Sequence, residues 1–490
     1  MVVVMTACGD SRGVPITVTT DAPVATVSER FLSVAIDSAQ LVGGFFWDLE
    51  GAMGGMERVP PLDLSQPRLR TLAAPLAPAY LRIGGTDADR VFYDLSDTPV
   101  ATPPARFMYV MTRAMWDGAI DFARALDFRL FFTLNAGAGP RDSDGKWQPD
   151  NARTLLAYAA GRADPVDVWE LGNEINAYSL LLDVHISPAD YARDASAARA
   201  LIDDTARGKL AAPSSAYWPL IGEVNPTLPG FLAAGGELVD LVTWHFYPQQ
   251  GRRCPVASRR AGPEVMLDPQ NLDEIARWAD EVSAEQQRHA PQAEVWLGET
   301  GNAQCGGEPG VSDGFVGSLW WLDQLGLLAR RGTPVMIRQA LVGANYGLLD
   351  ETTLEPRPDY FASVLWRRLM GPRAFAASAQ LPFGDFSLRV YAHCAPAPAP
   401  AGALTVLVIN LGTEVRTVHF NNLRGPADVY AVSATELSSK QPLLDGVALR
   451  VGADGSLPPF PARRVSGPVE LAPRSYAFLT FPDADAAACR

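Results

Sequence analysis

The stretch VWELGNEINAY, Val168–Tyr178, climbs through hydrophobic residues and halts on a Gly-Asn-Glu triplet. A second run, EVWLGETGNAQCGG, Glu294–Gly307, repeats the motif: aliphatics and a tryptophan, a glycine, then Glu299. Both read as buried strands that deliver a carboxylate at their ends. Working outward, eight apolar runs of strand length recur: FLSVAID (31–37), YLRIGG (80–85), RLFFTLN (129–135), VDVWELGNE (166–174), KLAAPSS (209–215), LVDLVTWHFYP (238–248), EVWLGET (294–300) and PVMIRQALVG (334–343). They are near-continuously hydrophobic rather than alternating, as strands covered on both faces are. The fifth carries the weakest signal.

Amphipathic stretches separate these runs. SPADYARDASAARALIDD opens with Ser187 as an N-cap and Pro188 at the first helical position. NLDEIARWADEVSAEQQRHA and DGFVGSLWWLDQLGLLARRG have the length of barrel helices, the second ending on Arg330, Arg331 and Gly332. Eight β-then-α units predict an α/β protein, a (β/α)₈ TIM barrel over 31–371 with its active site at the strand C-terminal ends. After residue 372 the texture changes to short runs (DFSLRVYAHC, ALTVLVINLG, TVHFNNL, ADVYAVS, SYAFLTF) divided by Pro, Gly and Asn. These predict an appended antiparallel β-sandwich over 372–490, with APAPAPAG (395–402) as an internal loop. VPITVTT (14–20), within 13–30, is expected to add a strand to it.

Among 490 residues, 41 basic side chains stand against 55 acidic ones, a net charge of −14. That balance argues against nucleic-acid or anionic-membrane partners. No apolar run reaches about 18 residues, so no membrane span is expected. The start, MVVVMTACGDSRG, reads over 1–12 as a signal or lipoprotein remnant with Cys8 lipidated. An incidental N-terminal cysteine is the alternative, because no charged segment precedes it. Cys254, Cys305, Cys394 and Cys489 form no C-x-x-C pair, which argues against zinc. Four cysteines fit two disulfides in an exported protein that is periplasmic, secreted or lipid-anchored at the envelope. Spacing does not fix their pairing.

The two glutamates have a chemistry in common. Glycosidic cleavage needs one carboxylic acid to protonate the leaving oxygen and one carboxylate, on the opposite face, to attack the anomeric carbon or activate water. Strands four and seven lie on roughly opposite sides of an eight-stranded mouth. Glu174 is therefore expected as proton donor and then base, and Glu299 as nucleophile, with their pKa values driven apart. Asn173 is placed to hydrogen-bond a sugar 2-hydroxyl. In VTWHFYP, His245 and Tyr247 stand two apart and share one face of strand six, so the Tyr247 phenol can donate to Glu299. The expected chemistry uses no cofactor and no metal.

The motifs LRIGGTDAD, WELGNE, VTWHFY, WLGETGNAQCGGEPGVSD, WLDQLGLLARRG and VMIRQALVGANYGLLDE, in that order, resemble glycoside hydrolase family 79, the heparanase family. The resemblance implies a retaining endo-β-glucuronidase with a barrel and a flanking β-sandwich, acting on internal bonds of heparan sulfate or a related glucuronide glycan; a monomer is expected. It assigns Glu174 as acid/base and Glu299 as nucleophile. It also implies glucuronate contacts at Asp37, Thr86, Asn173, Gln339 and Tyr346, and a grip on the sugar carboxylate by backbone amides of Cys305 and Gly306. Cys305 departs from the glycine expected there. The resemblance implies a Cys394–Cys489 disulfide within the sandwich; Cys254 with Cys305 is a separate proposal for a bridge between two mouth loops. Animal members carry a long excised segment after the second strand. Here only RVFYDLSDTPVATPPARFMY (90–109) fills that place, so activity is expected without proteolytic processing.

An anionic polysaccharide and an acidic protein repel at long range, but screening over about 8 Å lets local charge prevail. QQGRRCPVASRR after strand six holds Arg252, Arg253, Arg259 and Arg260, expected to form a basic rim that Arg141 and Lys146 extend. Two rival readings remain. An exo-acting β-glucuronidase on other glycans would share the catalytic residues, and a non-catalytic glycan-binding lipoprotein would keep only the barrel.

Overall fold

A computed structural model describes residues 13–49, 54–205 and 207–490. Cys8 and the lipoprotein reading of 1–12 fall outside the described residues. Eight parallel strands form a closed ring: β1 (Leu32–Asp37), β2 (Ala79–Gly84), β3 (Phe128–Leu134), β4 (Val166–Leu171), β5 (Lys209–Trp218), β6 (Leu241–Phe246), β7 (Glu294–Thr300) and β8 (Met336–Arg338). Each pairs with its successor and β8 returns to β1. A barrel helix follows each strand in turn: α1 (Pro67–Ala73), α2 (Arg113–Ala125), α3 (Asp150–Gly161), α4 (Pro188–Thr205), α5 (Leu228–Gly235), α6 (Pro269–His289), α7 (Phe315–Arg331) and α8 (Pro358–Leu369), with short extra helices at Ser38–Val42, Tyr178–Leu181 and Pro263–Met266. This is the (β/α)₈ barrel that the sequence pattern predicts. No described helix is long and apolar enough to cross a membrane.

The barrel interior is stacked in layers. Ala35, Phe131, Val168, Ala211, Leu241, Trp296 and Ile337 fill an apolar layer. Above it the same inward faces carry polar groups: Glu170 accepts from Arg82 (2.8 Å), Thr133 (2.8 Å) and Thr243 (2.9 Å). Alternation along each strand sets this stack, because residues two apart share a face. The strands are therefore less uniformly apolar than their sequences suggest.

Three of the boundaries that differ from the sequence reading bear on the site. β5, the weakest signal, is the longest of the eight at ten residues. Its small residues hid it, and Ser214 is bulged out of the ladder with φ of 58°. β8 is only three residues long, and Leu341 and Val342 are buried in the loop beyond it. Finally, β4 stops at Leu171, so Glu174 sits three residues past the strand.

Beyond the barrel, β9 (Leu388–Cys394), β10 (Leu404–Asn410), β11 (Ala427–Ser433) and β12 (Ser475–Phe481) pair antiparallel in the order β9-β10-β12-β11. A second sheet joins Ala377–Ala379, Val14–Val18, Arg416–Phe420 and Val469–Leu471. Its pairing is mixed, since Val14–Val18 runs parallel to Arg416–Phe420. The two sheets share a core that includes Ile16, Val18, Val406, Val418 and Leu479. Cys394 is bonded to Cys489. Tyr391 docks this unit on α7, its hydroxyl donating to Asp323 at 2.6 Å. Gly326 makes room, because a Cβ there would stand 2.2 Å from the tyrosine ring.

Candidate active site

The upper end of the ring gathers the functional side chains. Trp296 on β7 faces the barrel interior and Leu297 faces the helices. Strict alternation would then send Glu299 outward with Leu297. The β6–β7 register slips by one residue there, so Leu297 pairs with Trp244 but Glu299 pairs with His245. This bulge at Gly298 turns Glu299 into the mouth.

Glu299 is buried and its two oxygens are taken up. Tyr247 donates to Oε1 at 2.7 Å and Arg82 to Oε2 at 2.7 Å. Burial by itself would raise the Glu299 carboxyl. Attraction from His245 and Arg82, with the hydrogen bonds from Tyr247 and Arg82, outweighs it and holds the group below the ordinary glutamate range. Burial and the neighbouring Glu299 push the Tyr247 phenol well above its usual value, so it stays a donor.

Glu174 reaches the same space from β4. Its own backbone adopts φ of 55°, which turns the chain after the strand into a short 3₁₀ turn, Ile175–Ala177. Oε1 meets His245 Nδ1 at 3.1 Å, while His245 Nε2 meets the Ser214 hydroxyl at 3.0 Å. A carboxylate oxygen of Glu174, one of Glu299 and a ring nitrogen of His245 lie within 4.8 Å of one another. Arg82 and Tyr247 already engage both oxygens of Glu299, which leaves that carboxylate little capacity for a cation.

The remaining predicted residues surround this pair. Asn173 accepts from Arg82 at 2.8 Å and from the Gly85 N–H at 3.2 Å, so its amide N–H groups are what it can offer a sugar. Thr86 starts the turn Thr86–Arg90 after Gly85, where a Cβ would meet Asp37 Oδ2 at 2.4 Å. Asp37 accepts from Gln339 at 3.0 Å. Burial, and then Asp87 and Glu299, push its carboxyl up to about 8, so it is protonated at neutral pH. The Tyr346 ring lies 6.2 Å from that of Tyr247. Cys305 (φ 58°), Gly306 (φ 79°) and Gly307 (φ 87°) form a left-handed run beside Tyr346, whose N–H donates to Gly306 O. Cys305 thus adopts a left-handed backbone that ordinarily favours glycine, and it is bonded to Cys254.

A model of the N-terminal domain of glycosyl hydrolase family 79 matches residues 14–326, well over half of the chain. The chain belongs to glycosyl hydrolase family 79. Among curated members, mouse heparanase is 31% identical, with 96% of this chain and 93% of that protein covered. Hyaluronoglucuronidase of Hirudo nipponia is 28% identical, covering 95% and 97%. In fold, a 4-O-α-L-rhamnosyl-β-D-glucuronidase from Fusarium oxysporum superposes with a TM-score of 0.67 at 16% identity, covering 96% of this chain and 99% of that one. An α-L-arabinofuranosidase from Thermotoga maritima gives 0.66 at 15%, covering 95% and 99%. This family 79 chain is a glycosidase of the heparanase-like type.

The expected basic rim is corrected. Arg253 is 0% exposed and bonded to backbone and to Asn345. Arg259 is paired with Glu274, and Arg141 is buried against Asp194 at 2.7 Å. The arginines after β6 are taken up by the fold itself, on carbonyls of this loop and of the loop after β7 and on the Glu274 and Glu308 carboxylates. Arg252 and Arg260 stay exposed, with Arg252 bonded to Glu308. Three site residues escaped the sequence reading: Arg82, Glu170 and Asp89. Asp89 accepts from the Asn173 N–H at 2.9 Å and is raised to about 7 by burial. The signal was a charged residue inside an otherwise apolar strand, at Arg82 in YLRIGG and Glu170 in VWELG.

Proposed function

We infer that this glycosidase is a retaining β-glucuronidase that cuts internal glucuronidic bonds of heparan sulfate or a related anionic polysaccharide. The carrying observation is the approach of Glu174 and Glu299 to within 4.8 Å. Retaining enzymes hold their carboxyl groups about 5–5.5 Å apart, whereas inverting ones leave about 6.5–9.5 Å for a water. The ionised Glu299 attacks the anomeric carbon as Glu174 protonates the departing oxygen, breaking the glycosidic bond and leaving a glycosyl ester on Glu299. Glu174, now a carboxylate, takes a proton from water, whose oxygen attacks the anomeric carbon from the β-face, breaking the bond to Glu299 and releasing it as a carboxylate.

Specificity for glucuronate is supported by the N–H groups of the 305–307 loop, which no described group takes up, and by the names of the relatives, heparanase and hyaluronoglucuronidase. Disulfides at Cys254–Cys305 and Cys394–Cys489 fit a protein exported to an oxidising compartment. Mass spectrometry of heparan sulfate digests tests the substrate and mode: a ladder of internal fragments is expected, whereas release of glucuronate alone would mean exo action. Proton NMR of the first-formed product tests stereochemistry. A β-anomer is expected, and an initial α-anomer would refute retention.

A further inference from the structure

We propose that Arg253 and the Cys254–Cys305 disulfide form a clamp that presets the 305–307 loop as a carboxylate-binding nest, making Arg253 a specificity-determining positioning residue. The inference rests on the glucuronidase reading above. Arg253 lies fully buried behind the loop. Its Nη1 donates to Gly307 O at 3.0 Å and reaches Cys305 O at 3.4 Å. Its Nη2 donates to Asn345 Oδ1 at 2.5 Å and to Asp48 O, and Nε meets Asp48 Oδ1 at 3.3 Å. Asn345 closes the ring, its N–H donating to Gly306 O at 2.8 Å.

All three loop carbonyls are therefore held on the clamp side. In a trans peptide the C=O and the following N–H point in opposite directions. Fixing Cys305 O and Gly306 O thus aims the N–H groups of Gly306 and Gly307 away from Arg253. No described group accepts from the N–H groups of Cys305, Gly306 or Gly307. Successive N–H groups in left-handed backbone make a concavity suited to an anion. Glycine suits that backbone at 306, where a Cβ would stand 2.5 Å from Trp47. Cys305 does not, at φ of 58°, and such a residue persists only where its surroundings over-determine it. The disulfide and Arg253 supply that constraint. Neither touches the sugar.

The test compares two chromogenic substrates that differ only at the carboxylate, 4-nitrophenyl β-D-glucuronide and 4-nitrophenyl β-D-xyloside. Arg253→Gln is expected to lower kcat/KM on the glucuronide by about 10- to 100-fold, mainly through KM, because the nest is displaced by a fraction of an ångström. The xyloside should change by less than about threefold, since its turnover does not use the nest. Arg253→Lys and reduction of the disulfide in the unmutated protein should give the same selective loss in smaller measure. Cys305→Gly, which restores a residue suited to the backbone, should keep the glucuronide preference. Equal losses on both substrates, or an unchanged preference in every variant, would overturn the clamp. If the unmutated protein itself does not prefer glucuronide, the glucuronidase reading falls first and takes the clamp with it.

Discussion

Glu174 is reached only after β4 has ended, on a residue with φ of 55°, whereas Glu299 lies within β7 and owes its direction to a slip in register. Their exposures are close, 14% and 9% for the side chains. Their partners are not. Among the described residues Glu174 has one side-chain partner, His245, while Glu299 is gripped by Arg82 and Tyr247 with His245 at 3.9 Å. A nucleophile gains from being locked and ionised. A group that must give up and regain a proton gains from a loop and few partners. The contrast between the strand and the loop supports the proposed division of labour, Glu299 as nucleophile and Glu174 as acid and base.

The comparison breaks first at Glu299. Glu299→Gln should lower kcat by on the order of 10⁴-fold or more while substrate binding, read by calorimetry, survives. Loss of binding together with turnover would show a structural role instead. Glu174→Ala should cost about 10²- to 10⁴-fold on substrates with poor leaving groups. On a dinitrophenyl glucuronide the first step should be largely spared, with a burst of phenol; an equal loss on both kinds of substrate would sink its assignment as acid.

Tyr247→Phe sharpens the same contrast. A hydrogen bond to an ionised group contributes about 1.5–3 kcal/mol, so kcat/KM should fall about 10- to 100-fold. Glu299 is held low, so it is active above its pKa and activity fades as pH falls through that value. Removing the phenol should move this acidic limb to higher pH, and a fixed limb would contradict the account. The smallest effect is expected at Asp37, whose carboxyl is raised to about 8. A raised group contributes stability that is present at low pH and lost as pH climbs through its folded value. Asp37→Asn mimics the neutral acid, so the drop in Tm between about pH 4 and pH 8, the span from its unfolded to its folded value, should shrink in the variant. An identical drop would rule out Asp37 as its source.

Much of this was legible in the chain. The eight apolar runs gave the barrel, because strands covered on both faces must be hydrophobic along their length. The phenol of Tyr247 on Glu299 was also legible from VTWHFYP, although Tyr247 stands one residue past β6. Arg82 and Glu170 were not found, because a charge inside an apolar run is visible only as an interruption. Its partner on another strand is not written nearby: Arg82 and Glu170 are 88 residues apart. The arginines after β6 misled for the converse reason. Four cations in one loop look like a surface patch until their partners are seen: carbonyls of this loop and its neighbour, and the carboxylates of Glu274 and Glu308.

By itself the sequence determined the class of fold, the two strands that lead to the glutamates and the glycine-rich loop beyond β7, since periodicity and residue type are local properties of the chain. Only the tertiary structure decided which way Glu299 points, what keeps it ionised and why Arg253 is buried. Those outcomes depend on a one-residue slip between neighbouring strands and on charges brought together across the barrel, and neither is encoded in any single stretch.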